Sequence, residues 1–158
     1  MSQECKIVKL EDRDDIKLAR LLIDKYHSQK LKIGGGYSSN QYYFALECDG
    51  FITAVAWLHD SKPFRFIAQK FRIPLDRSLF IRRVTKTCPG DYTVLFLKML
   101  SEKLRNDGWE VIWTMGFPDH SNALYEKSGF EYQGKTPKTK HPVYAIFLQE
   151  KSEVNYNS

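Results

Sequence analysis

Residues 78–116 hold two apolar strand-like runs, SLFIRRVT and WEVIWTMGF, on either side of a helix-length segment, YTVLFLKMLSEKLRND. That segment is apolar almost all round from Val94 to Leu100 and amphipathic afterwards, and Gly108 is its natural stop. A helix apolar on every side is expected to be buried, and an almost unbroken apolar strand is expected to be central and covered on both faces. Strand, loop, helix and strand in this order make a βαβ unit, whose two strands must run parallel because only a long crossover can join parallel neighbours. A parallel pair within the sheet is therefore expected.

The flanking segments add antiparallel strands. Residues 4–10 (ECKIVKL) read as a strand, and Asp12, Asp14 and Asp15 supply an N-cap and acidic first turn for a helix to about His27. Its apolar positions Ile16, Ala19, Ile23 and Tyr26 step by three and four, on one face. Residues 28–40, with Gly34, Gly35 and Gly36, are expected to form a loop beside a substrate. QYYFALEC and FITAVAWLH flank Asp49-Gly50, the pair suited to a type I′ hairpin turn. Residues 59–77 read as basic and irregular. A short helix is expected from Asp119 or His120 through Ser128, closed by Gly129, and FEYQG and HPVYAIFLQE read as two last strands. The expected architecture is one α/β domain over residues 1–150, a mixed central sheet with antiparallel front strands and a central parallel βαβ pair, followed by a frayed tail at 151–158.

Composition narrows the function classes. Hydrophobic residues make up 42% and aromatic residues 14% of the 158, which is too rich for a disordered chain. No apolar run approaches the ~18 residues of a spanning helix, and the N-terminus lacks a signal-peptide core, so a cytoplasmic protein without membrane contact is expected. Cys5, Cys48 and Cys88 are odd in number and lack metal-ligand spacing, so neither a disulfide framework nor a metal site is expected. The net charge of +5 is concentrated in residues 61–90, which carry 8 basic side chains and 1 acidic one. Such a segment attracts an anionic partner, either a phosphorylated cofactor or nucleic acid, unless it is only a solvated face.

The stretch Asn122–Lys135, NALYEKSGFEYQGK, carries the most specific local signal. Ala123, Leu124, Tyr125, Lys127, Gly129 and Phe130 stand in a pattern that resembles the end of the catalytic domain of the GCN5-related N-acetyltransferases, and the element order agrees over residues 4–150. The resemblance implies acetyl-coenzyme A bound in the opening between SLFIRRVT and WEVIWTM, with its pyrophosphate on amides at the start of the intervening helix. It implies cofactor contacts from Val84, Cys88, Gly90, Asp91, Tyr92 and Thr93, and from Asn122, although Asn122 stands closer to Tyr125 than is usual in the family. The loop Thr87–Thr93 departs from the family pattern, having one glycine and an acidic residue where a basic side chain and several glycines are usual. Because side chains alternate along a strand, Arg82 and Arg83 are expected on opposite sides, with at most one on the cofactor.

A narrower resemblance is to Mom-type phage DNA-modifying proteins acting on adenine, through Phe117-Pro118-Asp119-His120, Tyr125, Gly129-Phe130 and Tyr132-Gln133-Gly134. The chemistry implied by the first resemblance is acyl transfer to an amine-bearing acceptor, with Tyr125 as the acid for the departing thiolate and His120 as a candidate base oriented by Asp119. Each also has a bland reading: a packing tyrosine, and a turn with a helix cap. His141, before Pro142 in a Lys-rich loop, is expected in solvent. A non-catalytic binding module on the same fold is the third possibility. The acceptor and the oligomeric state are not legible.

Overall fold

The computed structural model describes residues 3–26, 40–117 and 122–149. Among the described residues seven strands form one sheet: β1 (Cys5–Leu10), β2 (Gln41–Cys48), β3 (Phe51–Asp60), β4 (Ser78–Lys86), β5 (Val111–Met115), β6 (Glu131–Lys135) and β7 (Pro142–Phe147). Their order in space is β1-β2-β3-β4-β5-β7-β6. The pair β4·β5 is parallel and the other neighbours are antiparallel. This is the mixed sheet the sequence implies, with the last strand inserted between β5 and β6.

Four helices among the described residues cover both faces: α1 (Arg13–Tyr26), α2 (Arg65–Lys70), α3 (Tyr92–Asn106) and α4 (Ala123–Lys127). Alternation along β2 decides which side chains meet which helix. Phe44 and Leu46 pack with Phe96, Leu97, Leu100 and Leu104 of α3, whereas Tyr43 and Ala45 pack with Ala19 and Ile23 of α1. Beneath α2, Ala68 joins Phe80, Val111, Trp113, Val143 and Ala145. Trp113 is fully buried, and its indole N–H donates to Ser61 Oγ at 2.8 Å, satisfying the one polar atom of the ring.

The hairpin turn is as expected: Asp49 and Gly50 have φ of 51° and 86°, both positive as a type I′ turn requires. Four expectations change. Residues 59–77 are not irregular throughout, since β3 runs on to Asp60 and α2 follows, flanked by 3-10 turns at Lys62–Phe64 and Leu75–Arg77. α3 is not buried on every side, because it lies on the outside of a layered fold and leaves Leu95 39% exposed. The last helix begins at Ala123, and Asp119 and His120 lie outside the described residues, as do the glycine-rich stretch 27–39 and the tail. The expectation of no disulfide is also overturned: Cys5 and Cys48 are bonded, because the antiparallel register of β1 on β2 sets them directly opposite each other. Their separation of 43 residues hides this from any local pattern. Among the described residues, no helix is long and apolar enough to cross a membrane.

Candidate active site

The parallel pair is short. β4 and β5 are in register over three residue pairs, Ser78↔Val111, Leu79↔Ile112 and Phe80↔Trp113, and then part. At the parting point the Thr114 hydroxyl donates to the Ile81 carbonyl at 3.0 Å, so a side chain satisfies a backbone group that the ladder no longer reaches. Beyond it lies a cavity of about 340 Å³ whose walls include Val84 of β4, Gly116 and Phe117 after β5, Tyr125 of α4, and His141.

Both Arg82 and Arg83 line this cavity. The expectation from strict alternation fails because β4 is bulged: Trp57 and Leu58 of β3 are consecutive, yet they oppose Arg83 and Ile81, leaving Arg82 as an extra residue. A bulge breaks the two-residue period and brings neighbouring side chains towards one side. The Arg82 guanidinium sits 5.4 Å from the centre of the Phe64 ring, and Arg83 Nη1 donates to the Arg82 carbonyl at 2.7 Å.

Tyr125 lies on the cavity wall. Its ring packs against Phe130 and Tyr144 at centroid distances of 5.7 and 5.5 Å. Burial pushes its pKa up, opposed by a hydrogen bond with Thr114 and by the charge of Arg83. The phenol therefore keeps its proton through the neutral range. Asn122 does not line the cavity; its amide bonds the phenol of Tyr144, whose pKa is also pushed up by burial.

Gly116 holds this corner together. Its N–H donates to the Pro142 carbonyl at 2.8 Å, and its carbonyl accepts from His141 Nδ1 at 2.9 Å. A Cβ at this position would overlap Asn122 Oδ1 and lie 2.8 Å from Asn122 Cγ, so only glycine lets the amide approach. His141 is half-buried and stands edge-on to Phe117 at 5.6 Å, which corrects the expectation that it faces solvent. The register of β7 on β5, read from neither segment alone, carries it there.

The loop after β4 is the remaining element. Cys88, Gly90, Asp91, Tyr92 and Thr93 lie at or beside the start of α3, a helix of 15 residues. Asp91 occupies the N-cap position, but its side chain makes no cap hydrogen bond. The first-turn amides of α3 thus have no side-chain acceptor at the cap, which suits an anion. Gly90 has φ of 125°, with the Tyr92 ring so close that a Cβ would meet it at 2.9 Å. Lys86 Nζ donates to the Gly90 carbonyl at 3.3 Å and places a cation on the loop, while the exposed Asp91 carboxylate opposes an anion there. The donors that remain, the helix-start amides and a lysine, are of a kind that fits an anionic group such as a pyrophosphate, and the Tyr92 ring takes the space beside Gly90. Sequence reasoning missed Thr114, Gly116 and His141 as site residues; the Gly-Phe dipeptide ending an apolar strand was the one visible signal.

Among the described residues, a seven-stranded mixed sheet with one parallel pair that parts after three residue pairs is an acetyltransferase-like fold. Solved structures agree with that class. The ribosomal-protein-S18-alanine N-acetyltransferase of Escherichia coli has a TM-score of 0.59 at 18% identity, covering 95% of this chain and 97% of that one. An aminoglycoside acetyltransferase in complex with coenzyme A has a TM-score of 0.66 at 13% identity, covering 91% and 95%. The AHL synthase LasI has a TM-score of 0.60 at 13% identity, covering 97% and 93%. No family model matches the chain. By sequence, the chain belongs to the family of the protein named "Uncharacterized protein 154" of Sulfolobus islandicus rod-shaped virus 1, with 55% identity over 154 residues that cover 95% of this chain and all of that protein.

Proposed function

We propose that this chain is an acyl-coenzyme A-dependent N-acyltransferase that moves an acetyl group to a primary amine. The observation that carries the reading is the opening between β4 and β5, with a protonated, half-buried tyrosine on its wall and an uncapped helix start after β4. Acetyl-coenzyme A, when bound, supplies the thioester. The α3 amides and Lys86 would hold its pyrophosphate, and Val84 and Thr114 line the same cavity as Tyr125. With that thioester bound and an amine attacking its acyl carbon, the Tyr125 O–H would supply the proton that the leaving sulfur needs, and the proton lost by the amine nitrogen would pass to a base or to solvent. Calorimetry and a thermal shift with acetyl-coenzyme A test this: at 100 times its Kd a ligand should stabilise the fold by about 2.7 kcal/mol. No heat and no shift at millimolar ligand would leave a binding module that has kept only the fold.

A second reading, a nucleic-acid acceptor of the Mom-like kind, is favoured by exposed Lys62, Arg65, Lys70 and Arg72 around α2, where Phe66 is 75% exposed. It requires DNA binding that weakens steeply with salt, because each neutralised phosphate releases counterions. Binding indifferent to salt would remove it.

A further inference from the structure

We infer that His141 is the general base of the reaction, taking the proton of the acceptor amine on Nε2. The inference rests on the acyltransferase reading and names a residue that the tyrosine motif does not reach. A carbonyl oxygen can only accept, so the 2.9 Å contact between His141 Nδ1 and the Gly116 carbonyl puts the proton of the neutral ring on Nδ1. Nε2 then carries the lone pair. Among the described residues Nε2 has no hydrogen-bond partner, and the ring lines the same cavity as Tyr125.

His141 is held through its backbone as well as through Nδ1, which limits how far the ring can move. Its backbone N–H donates to Thr136 Oγ1 at 3.0 Å, and its carbonyl accepts from the Thr136 N–H at 2.9 Å, closing the turn that enters β7. Phe117 stands edge-on at its side. The ring therefore reaches the cavity in one tautomer and with little freedom to turn, so no ordering is required when the amine arrives. The step balances: one amine proton passes to Nε2 as the carbon–nitrogen bond forms, and the Tyr125 proton passes to the sulfur as the carbon–sulfur bond breaks. Proton exchange with solvent resets both groups.

His141→Asn tests it, since the asparagine amide can keep the donation to the Gly116 carbonyl while removing Nε2. With acetyl-coenzyme A as donor and a peptide amine, a polyamine and an aminosugar as acceptors, kcat should fall by about 10²-fold or more. KM for acetyl-coenzyme A should change little. In His141→Ala, added imidazole should restore part of the loss. Nitrogen NMR of the ring in the intact protein should show the Nδ1–H tautomer at mildly alkaline pH. A kcat for His141→Asn within about threefold of the parent, against the ~10²-fold expected of a base, or an Nε2–H tautomer, would overturn the inference while leaving the acyltransferase reading in place. A parent that neither binds acetyl-coenzyme A nor turns over any of the three acceptors would overturn both.

Discussion

Replacing Gly116 by alanine should strain the corner where β5, α4 and β7 meet, and the geometry sets the size of the effect. The added Cβ would overlap Asn122 Oδ1, lie 2.8 Å from Asn122 Cγ and meet Pro142 Cγ at 3.2 Å. Proline cannot give way easily, so the asparagine must swing out and lose its bond to Tyr144. A lost hydrogen bond costs about 1 kcal/mol and overpacking about 1–3 kcal/mol, so a total of about 2–3 kcal/mol is expected for a half-buried side chain that can move. In a chain of 158 residues this lowers Tm by about 4–12 °C. The cause can be isolated by a double-mutant cycle in urea, followed by far-UV circular dichroism. In an Asn122→Ala background the overlap is gone and only the Pro142 contact remains, so Gly116→Ala should cost about 1–2 kcal/mol less than in the parent. If the two substitutions add to within about 0.5 kcal/mol, the close approach is not the reason for glycine.

Three further outcomes are expected. Tyr125→Phe keeps the ring and its packing on Phe130 and Tyr144 but removes the phenol proton, so kcat for acetyl transfer should fall by about 10²-fold with the fold intact; parent-like turnover would make Tyr125 a packing residue. Stability should fall on both sides of neutrality. The unfolded chain releases tyrosine protons above about pH 10, which buried Tyr43 and Tyr144 and half-buried Tyr125 resist, and takes up a histidine proton below about pH 6.5, which buried His59 resists. Urea midpoints measured across that range should flatten on the acid side in His59→Phe, and an unchanged acid limb would assign the slope elsewhere. Reducing the Cys5–Cys48 bond, which spans 43 residues, should lower the unfolding free energy by about 2–4 kcal/mol; an equal midpoint with and without reductant would show that the bond adds nothing.

The parts legible in the sequence are those that a run of neighbouring residues decides. Period, turn chemistry and stop signals act within one turn or one strand, so the 92–106 helix, the Asp49-Gly50 hairpin and the parallel pair could be read directly. Tyr125 was legible for a different reason, since a motif of adjacent residues brought a family resemblance with it. What tertiary structure decided is everything set by register between distant segments. The pairing of β1 with β2 brings Cys5 to Cys48, and the bulge opposite Trp57 and Leu58 turns Arg82 and Arg83 to one cavity. The insertion of β7 beside β5 carries His141 from a lysine-rich loop to the Gly116 carbonyl, 25 residues away in sequence. Backbone pairing fixes which side chains face one another only after the sheet has formed, and no local pattern in either partner encodes that choice.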